Sequence, residues 1–180
     1  ADSWWQAASM GSSRANFAAV VVDDLIYVFG GDDNGIAHNT AEVYDPQTNA
    51  WTTLAIMPYR TYTNGAAVGT DGRIYLFATG SWPGGTNDDV MIYDPTDDSY
   101  SFGAELSSAR GHAGIVVAPS GGILVFGGGD GGTTTVEGYD TAGDFWEATP
   151  YELLHHRIVH GGVIMGDTIY AFGGEASGIG

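Results

Sequence analysis

The sequence predicts an all-β fold, a β-propeller of four-stranded antiparallel blades, on three observations. First, a strand phrase recurs: Leu25-Ile26-Tyr27-Val28-Phe29-Gly30-Gly31, Ile74-Tyr75-Leu76-Phe77, Ile123-Leu124-Val125-Phe126-Gly127-Gly128 and Ile169-Tyr170-Ala171-Phe172-Gly173-Gly174. Second, its period is regular: Tyr27 to Tyr75 is 48 residues, Tyr75 to Leu124 is 49 and Leu124 to Tyr170 is 46. Third, arginines keep the same phase, with Arg14, Arg60, Arg110 and Arg157 lying 46, 50 and 47 residues apart. Short β runs at a period of roughly 40–50 residues mark propeller blades.

Each element has a local reason. Phe17 to Val22, Ala66 to Val68, His112 to Val117 and His160 to Met165 are runs of small and β-branched residues. Continuous apolarity with many Ala and Gly predicts a strand buried on both faces in a narrow place, the innermost strand of a blade. Short Asp/Gly turns follow at Asp23-Asp24, Thr70-Asp71-Gly72, Pro119 to Gly122 and Gly166-Asp167, and read as hairpins into the Tyr/Phe strand. Variable loops come after the glycines, where binding specificity usually lives. Tyr44-Asp45-Pro46, Tyr93-Asp94-Pro95 and Tyr139-Asp140 then form tight turns, with Asp45 and Asp94 placed to accept from backbone amides ahead of them. Tyr44 to Trp51, Tyr93 to Tyr100 and Tyr139 to Trp146 are each 7 residues, so this turn is geometrically fixed. The outer aromatics Trp51, Tyr100 and Trp146 are expected to pack between neighbouring blades. Ser3 to Ala8 reads as an outer strand, and Tyr151 to His156 as the loop entering the last copy, with a short helical turn as its alternative.

The order of these elements resembles the kelch repeat: an Arg before an apolar strand, an apolar-Tyr-apolar-Phe-Gly-Gly strand, a Tyr-Asp-Pro turn and a Trp seven residues after the Tyr. The second copy departs, with Ala78-Thr79-Gly80 in place of the glycine pair and Tyr100 in place of Trp; the third has Leu124 in place of Tyr. The repeats divide as residues 1–13 (an outer strand closing a blade), 14–59, 60–109, 110–156 and a partial copy at 157–180, about four blades in all. The resemblance implies a ring of about six or seven blades. Three solutions stand: a segment of a larger propeller, a closed four-blade ring, or an edge lent to another copy of the chain. A bare partial ring would expose blade faces, which is rare on soluble monomers; the segment and the shared edge fit better than the closed ring, whose last blade would lack its third strand.

Composition narrows the partners. The chain has 180 residues, no Cys and no Lys; five Arg stand against 22 acids, for a formal net charge of −17. Disulfides and cysteine chemistry are excluded, and no apolar run approaches the ~20 residues of a membrane-spanning helix. Nucleic acid is a poor partner for such a surface. The acidic, lysine-free surface gives the expectation of an extracellular or cell-surface setting. A start at Ala1 rather than Met reads as a mature chain or part of a longer one.

The resemblance implies that the residue before each innermost strand stands at one mouth of the central channel. Arg14, Arg60, Arg110 and Arg157 would converge there with Asn16, Tyr62, His112 and His160 nearby, a set suited to carboxylates and other anions. The alternative is that these arginines pair with acids and brace the ring. Trp82, in a Pro/Gly loop, is the candidate aromatic platform for a sugar. No metal set is assigned: His155 and His156 are adjacent, and Asp32-Asp33-Asn34-Gly35 and Asp88-Asp89 lack the Asp-x-Asp-x-Asp-Gly pattern, which leaves only weak Ca²⁺ binding. Gly127 to Gly132 has neither the helix nor the Lys-Ser/Thr of a phosphate loop. The resulting expectation is a non-catalytic extracellular binding or self-assembly module, its partner a protein or further copies of itself. The alternative is a carbohydrate-active, sugar-binding or mutarotase-like propeller with its site at the channel mouth. No catalytic residue is assignable.

Overall fold

The computed structural model describes residues 3–62, 65–77, 80–81, 87–129, 133–158, 161–166 and 168–175. Its strands are β1 (Ala18–Val22), β2 (Leu25–Phe29), β3 (Asp32–Asp33), β4 (Ile36–Ala37), β5 (Ala41–Asp45), β6 (Ala50–Thr53), β7 (Thr61–Tyr62), β8 (Gly65–Val68) and β9 (Ile74–Phe77). There follow β10 (Gly80–Ser81), β11 (Val90–Asp94), β12 (Ser99–Gly103), β13 (Gly114–Val117), β14 (Ile123–Phe126), β15 (Thr133–Asp140), β16 (Phe145–Arg157), β17 (Gly161–Met165) and β18 (Thr168–Phe172). They form three four-stranded antiparallel sheets, β1-β2-β5-β6, β8-β9-β11-β12 and β13-β14-β15-β16, and the hairpin β17-β18. These are three kelch-type blades and the inner half of a fourth. No helix occurs among the described residues.

The innermost strands stand in series, β1 beside β8, β8 beside β13 and β13 beside β17. Their small residues permit this: a Cβ at Gly65 would lie 2.1 Å from Ile115 Cδ1, and one at Gly162 would lie 2.3 Å from Phe126. Burial on both faces holds only in part, however. In β1, Ala18 is buried but Val21 is 62% exposed, because no blade covers that side of the first sheet.

Between blades the aromatic strands interlock. Tyr27 and Phe29 of the first blade meet Tyr93 of the second at 6.1 and 5.3 Å; Tyr75 and Phe77 of the second meet Tyr139 of the third at 5.6 and 5.7 Å. Edge-to-face rings at such distances add to the burial of large apolar area. Trp146 also packs on Phe77 across the same boundary, at 5.7 Å, as its place in the repeat predicts.

Two expectations are corrected. Residues 3–10 do not form a strand and Trp4 is fully exposed, because no described strand lies beside them to complete a ladder. Tyr151 to His156 is neither loop nor helical turn. It continues β16, which pairs with β15 as far as Thr133 opposite Arg157, with register shifts on either side of Thr135.

The glycine pair has two separate jobs. Gly31 (φ +87°) and Gly128 (φ +79°) have backbone where a Cβ would go, 2.4 Å from the Ala15 carbonyl oxygen and 2.7 Å from that of Gly111. The first glycine of each pair supplies an accepting carbonyl, described below. A Gly31→Ala substitution is therefore expected to destabilise by roughly 1–3 kcal/mol, read as a lowered urea midpoint. Gly35→Ala is the control for positive φ alone, since its Cβ would meet open space.

Candidate functional site

By strand order, the described ends of the second strands and the segments carrying the repeat arginines lie on one face of the blades, the loop face, and the short Asp/Gly turns and the Tyr-Asp-Pro turns on the other. On the loop face the arginines do not form a free cluster. Arg14 is buried: its Nη1 donates to the carbonyls of Gly30 (2.7 Å) and Thr40 (3.0 Å), and its Nη2 to Thr40 Oγ1 (3.1 Å) and Glu42 Oε1 (2.5 Å). Glu42 Oε2 in turn accepts from the Gly11 amide at 2.7 Å. Arg110 repeats the arrangement on Gly127 O, Thr135 O, Thr135 Oγ1 and Glu137, and Glu137 Oε2 accepts from the Ser107 amide. Burial lowers the pKa of the Arg110 guanidinium, and the charge of Glu137 works against that shift. Each arginine thus closes the far end of its own blade. It ties the glycine pair to the strand β5 or β15 through a Thr-x-Glu-x-Tyr segment, Thr40 to Tyr44 or Thr135 to Tyr139. That segment was visible in the sequence and is the signal for the lock.

The other two copies differ. Arg157 Nη1 donates to Gly173 O at 2.8 Å, so the carbonyl half of the lock is present. In the second blade Asp89-Val90-Met91-Ile92-Tyr93 stands where the Thr-x-Glu-x-Tyr segment should, Met91 is buried, and Ala78-Thr79 replaces the glycines. Arg60 has lost the glutamate of the lock, which is Met91 in this copy. It is exposed and makes no ion pair with any described residue.

Near it, Tyr62 donates its hydroxyl to Gly35 O at 3.2 Å, and Thr61 bridges back to His38 of the first blade. His112 is half-buried with φ 57°, and Asn16 (φ 51°) donates to Asp32 Oδ1 at 2.7 Å. Asp32 and Asp33 also accept from Gly35 N, Asn34 and Ser13, so the β3-β4 hairpin is held by its own acids. His160 and Trp82 lie outside the described residues. Among the described residues no group of three or more His, Cys, Asp and Glu is placed to hold a metal. The cavity of about 190 Å³ where the innermost strands meet is lined by Gly, Ala, Ile115 and Phe17, with no titratable side chain.

A second constellation went unpredicted. Asn49, Asp98 and Asp144 occupy one turn position in the three blades, each at φ of 53–54°, a conformation that Asn and Asp tolerate best after Gly. Each accepts from the tyrosine of its own blade (Tyr44, Tyr93, Tyr139) and from a backbone amide of the segment before the blade (Ala8, Ala55, Ala104). Trp51 and Trp146 return a bond from Nε1 to Ala8 O and Ala104 O, both at 2.8 Å. The phenol oxygen of Tyr100, which replaces Trp, is buried with no hydrogen-bond partner among the described residues. These clamps align Ala8 with Ala104, and therefore Trp4 with Tyr100.

The kelch motif as a family matches residues 13–58, from the approach to Arg14 to just past Trp51. Kelch-like protein 36 of Rattus norvegicus is 27% identical over 144 residues, covering 78% of this chain and 23% of that protein. Residues 13–58 are a kelch repeat, and the Kelch-like relatives extend the likeness over most of the chain. Kelch-like protein 36 of Bos taurus is 26% identical over 183 residues (95% of this chain, 29% of the relative), and alpha-scruin of Limulus polyphemus 31% over 114 (59% and 12%). The kelch chain spans about a quarter of the length of its Kelch-like relatives. These relatives overturn the expected extracellular or cell-surface setting. The physical reason is that excess acid sets solubility and self-repulsion, which serve equally in either compartment.

Two outcomes test the site. Glu137→Ala strands the buried Arg110 guanidinium and is expected to lower unfolding free energy by about 3–5 kcal/mol, whereas Arg60→Ala should change it by less than about 0.5 kcal/mol; urea denaturation reads both. The second outcome concerns pH. The Tyr139 hydroxyl, then the Ala104 amide, hold the Asp144 carboxyl below its ordinary value. A depressed folded pKa gives stability that is present above the ordinary carboxylate range of about 3.9 and lost as pH falls through the lower folded value. Asp144→Asn should keep both bonds, as Asn49 does, and lose less stability than the parent between pH 7 and pH 3.

Proposed function

We propose that this kelch-repeat chain is a non-catalytic protein-binding module whose partner docks on the loop face and presents a carboxylate to Arg60. One observation carries the reading: of the arginines in repeat phase, Arg14 and Arg110 are sealed inside their blades, and Arg60, whose acid is replaced by Met91, is exposed. On a chain of net charge −17, an exposed guanidinium without an acid is a selective point of attachment for an acidic group, because the surrounding field repels acids everywhere else. The Kelch-like and scruin relatives support a protein-binding role.

The test is a panel of immobilised Asp- and Glu-containing peptides probed with the parent chain and with Arg60→Ala. A charge-assisted bond contributes about 1.5–3 kcal/mol, so the substitution should weaken binding at least about tenfold with no change in melting temperature. Unchanged affinity would remove Arg60 from the interface.

A further inference from the structure

The second blade departs from its neighbours at one corner, beside Arg60. The clamps align Ala8, Ala55 and Ala104, so the buried Met57 stands where the buried Leu106 does. Each donates its amide to the segment before the third strand of the preceding blade, Met57 to Asn39 O and Leu106 to Asp88 O. From Met10 to Arg14 and from Leu106 to Arg110 is four residues, but from Met57 to Arg60 it is three. The second connection is one residue short, so Arg60 is out of step with the lock as well as without its glutamate.

Strand register shows what stands in place of the lock. Glu42 lies opposite Thr53 and Glu137 opposite Ala148, whereas Met91 lies opposite Phe102, which is 52% exposed. Tyr59 directly precedes Arg60, where the first and third copies have Ser13 and Ala109. Its ring stacks on that of Phe102, with centroids 6.3 Å apart and planes 17° from parallel, and its hydroxyl accepts from Asn87 Nδ2 at 3.3 Å. The same segment exposes Ile56, aligned with Ser9 and Glu105 of the other copies. The first and third blades fold with small or polar residues at these places, so the frame itself does not call for rings there. Phe102 lies on the outer strand of a blade with a neighbour on each side. Further blades at either end of the series would therefore leave this corner open.

Resting on the reading of Arg60 given above, we infer that the partner offers a peptide segment in which an acidic residue is flanked by an aromatic or large aliphatic one. The carboxylate meets Arg60 and the apolar side chain seats on the Tyr59–Phe102 ring pair. Charge selects the first half, because the chain carries a net charge of −17 and Arg60 is an exposed cation on it. The ring pair selects the second, since it offers apolar area to bury right beside that cation. A side chain seated there also excludes water, which strengthens the neighbouring ion pair by lowering the local dielectric. Tyrosine next to arginine is moreover a pairing common among residues that dominate binding at protein interfaces.

Paired immobilised peptides test this, one with Asp or Glu flanked by Phe and the other with the same acid flanked by Gly. They are probed with the 180-residue chain, Phe102→Thr and Arg60→Ala. The parent should prefer the Phe-flanked peptide about tenfold. Phe102→Thr, a change to the residue type of Thr53, should bring the two affinities together with the circular dichroism spectrum kept, and Arg60→Ala should weaken both. Equal binding of the two peptides by the parent overturns this inference and leaves the Arg60 reading standing, as does a preference that survives in Phe102→Thr. Binding of the Gly-flanked peptide that Arg60→Ala does not weaken overturns the Arg60 reading and this inference with it, as does a parent that binds neither peptide. If Phe102→Thr loses its spectrum, Tyr59→Ser, a change to the residue type of Ser13, takes its place with the same expected outcome.

Discussion

The first and third blades each close on one buried ion pair. In the first and third blades an arginine before the innermost strand reaches over its own sheet, takes the carbonyl of the first glycine, and ends on a glutamate of the third strand. The two charges are compensated by each other and by backbone, which is the condition for burying them at all. The second glycine exists because the backbone following the arginine passes where its Cβ would be. Arginine, glycine pair and glutamate are thus one device, and the second blade shows it: where the glutamate is Met91 and the glycines are Ala78-Thr79, Arg60 has left the interior.

Around that device the blades are joined by two repeated contacts of different physical kinds. Toward the inside, the Tyr–Phe pair of one blade packs on the tyrosine of the next, a contact driven by burial of large apolar rings. Toward the outside, the same tyrosine uses its hydroxyl to hold Asn49, Asp98 or Asp144, which captures the amide of the incoming chain. Burial and then the bond to Asp144 push the Tyr139 phenol above its ordinary value, so it remains a donor across the physiological range. Each tyrosine therefore serves packing and polar closure at once, which explains its recurrence at fixed spacing from the outer aromatic.

Function sits in what this repeated frame leaves over. The frame uses up Arg14 and Arg110 and lines its centre with small apolar residues. What remains available among the described residues is the exposed Arg60 on the loop face.

The strand order, the blade period, the glycine pair and the Asp45 and Asp94 turns were legible in the sequence, because each rests on local geometry that a few neighbouring residues impose. Asp45 accepts from Gln47 N and Asp94 from Thr96 N, as two-residue Asx contacts must. The fate of the arginines was not legible in the same way. Arg14 and Glu42 are 28 residues apart, and four arginines in phase are equally compatible with a free cluster and with internal locks. Residues 3–10 and 151–156 were misread because a strand forms only where a neighbour supplies its ladder: the first lacks one among the described residues, and the second finds it in β15. The sequence by itself determined the repeat and its strands; the tertiary structure decided which charges are buried and which are free, since burial depends on what strands distant in sequence but in the same blade place opposite each side chain.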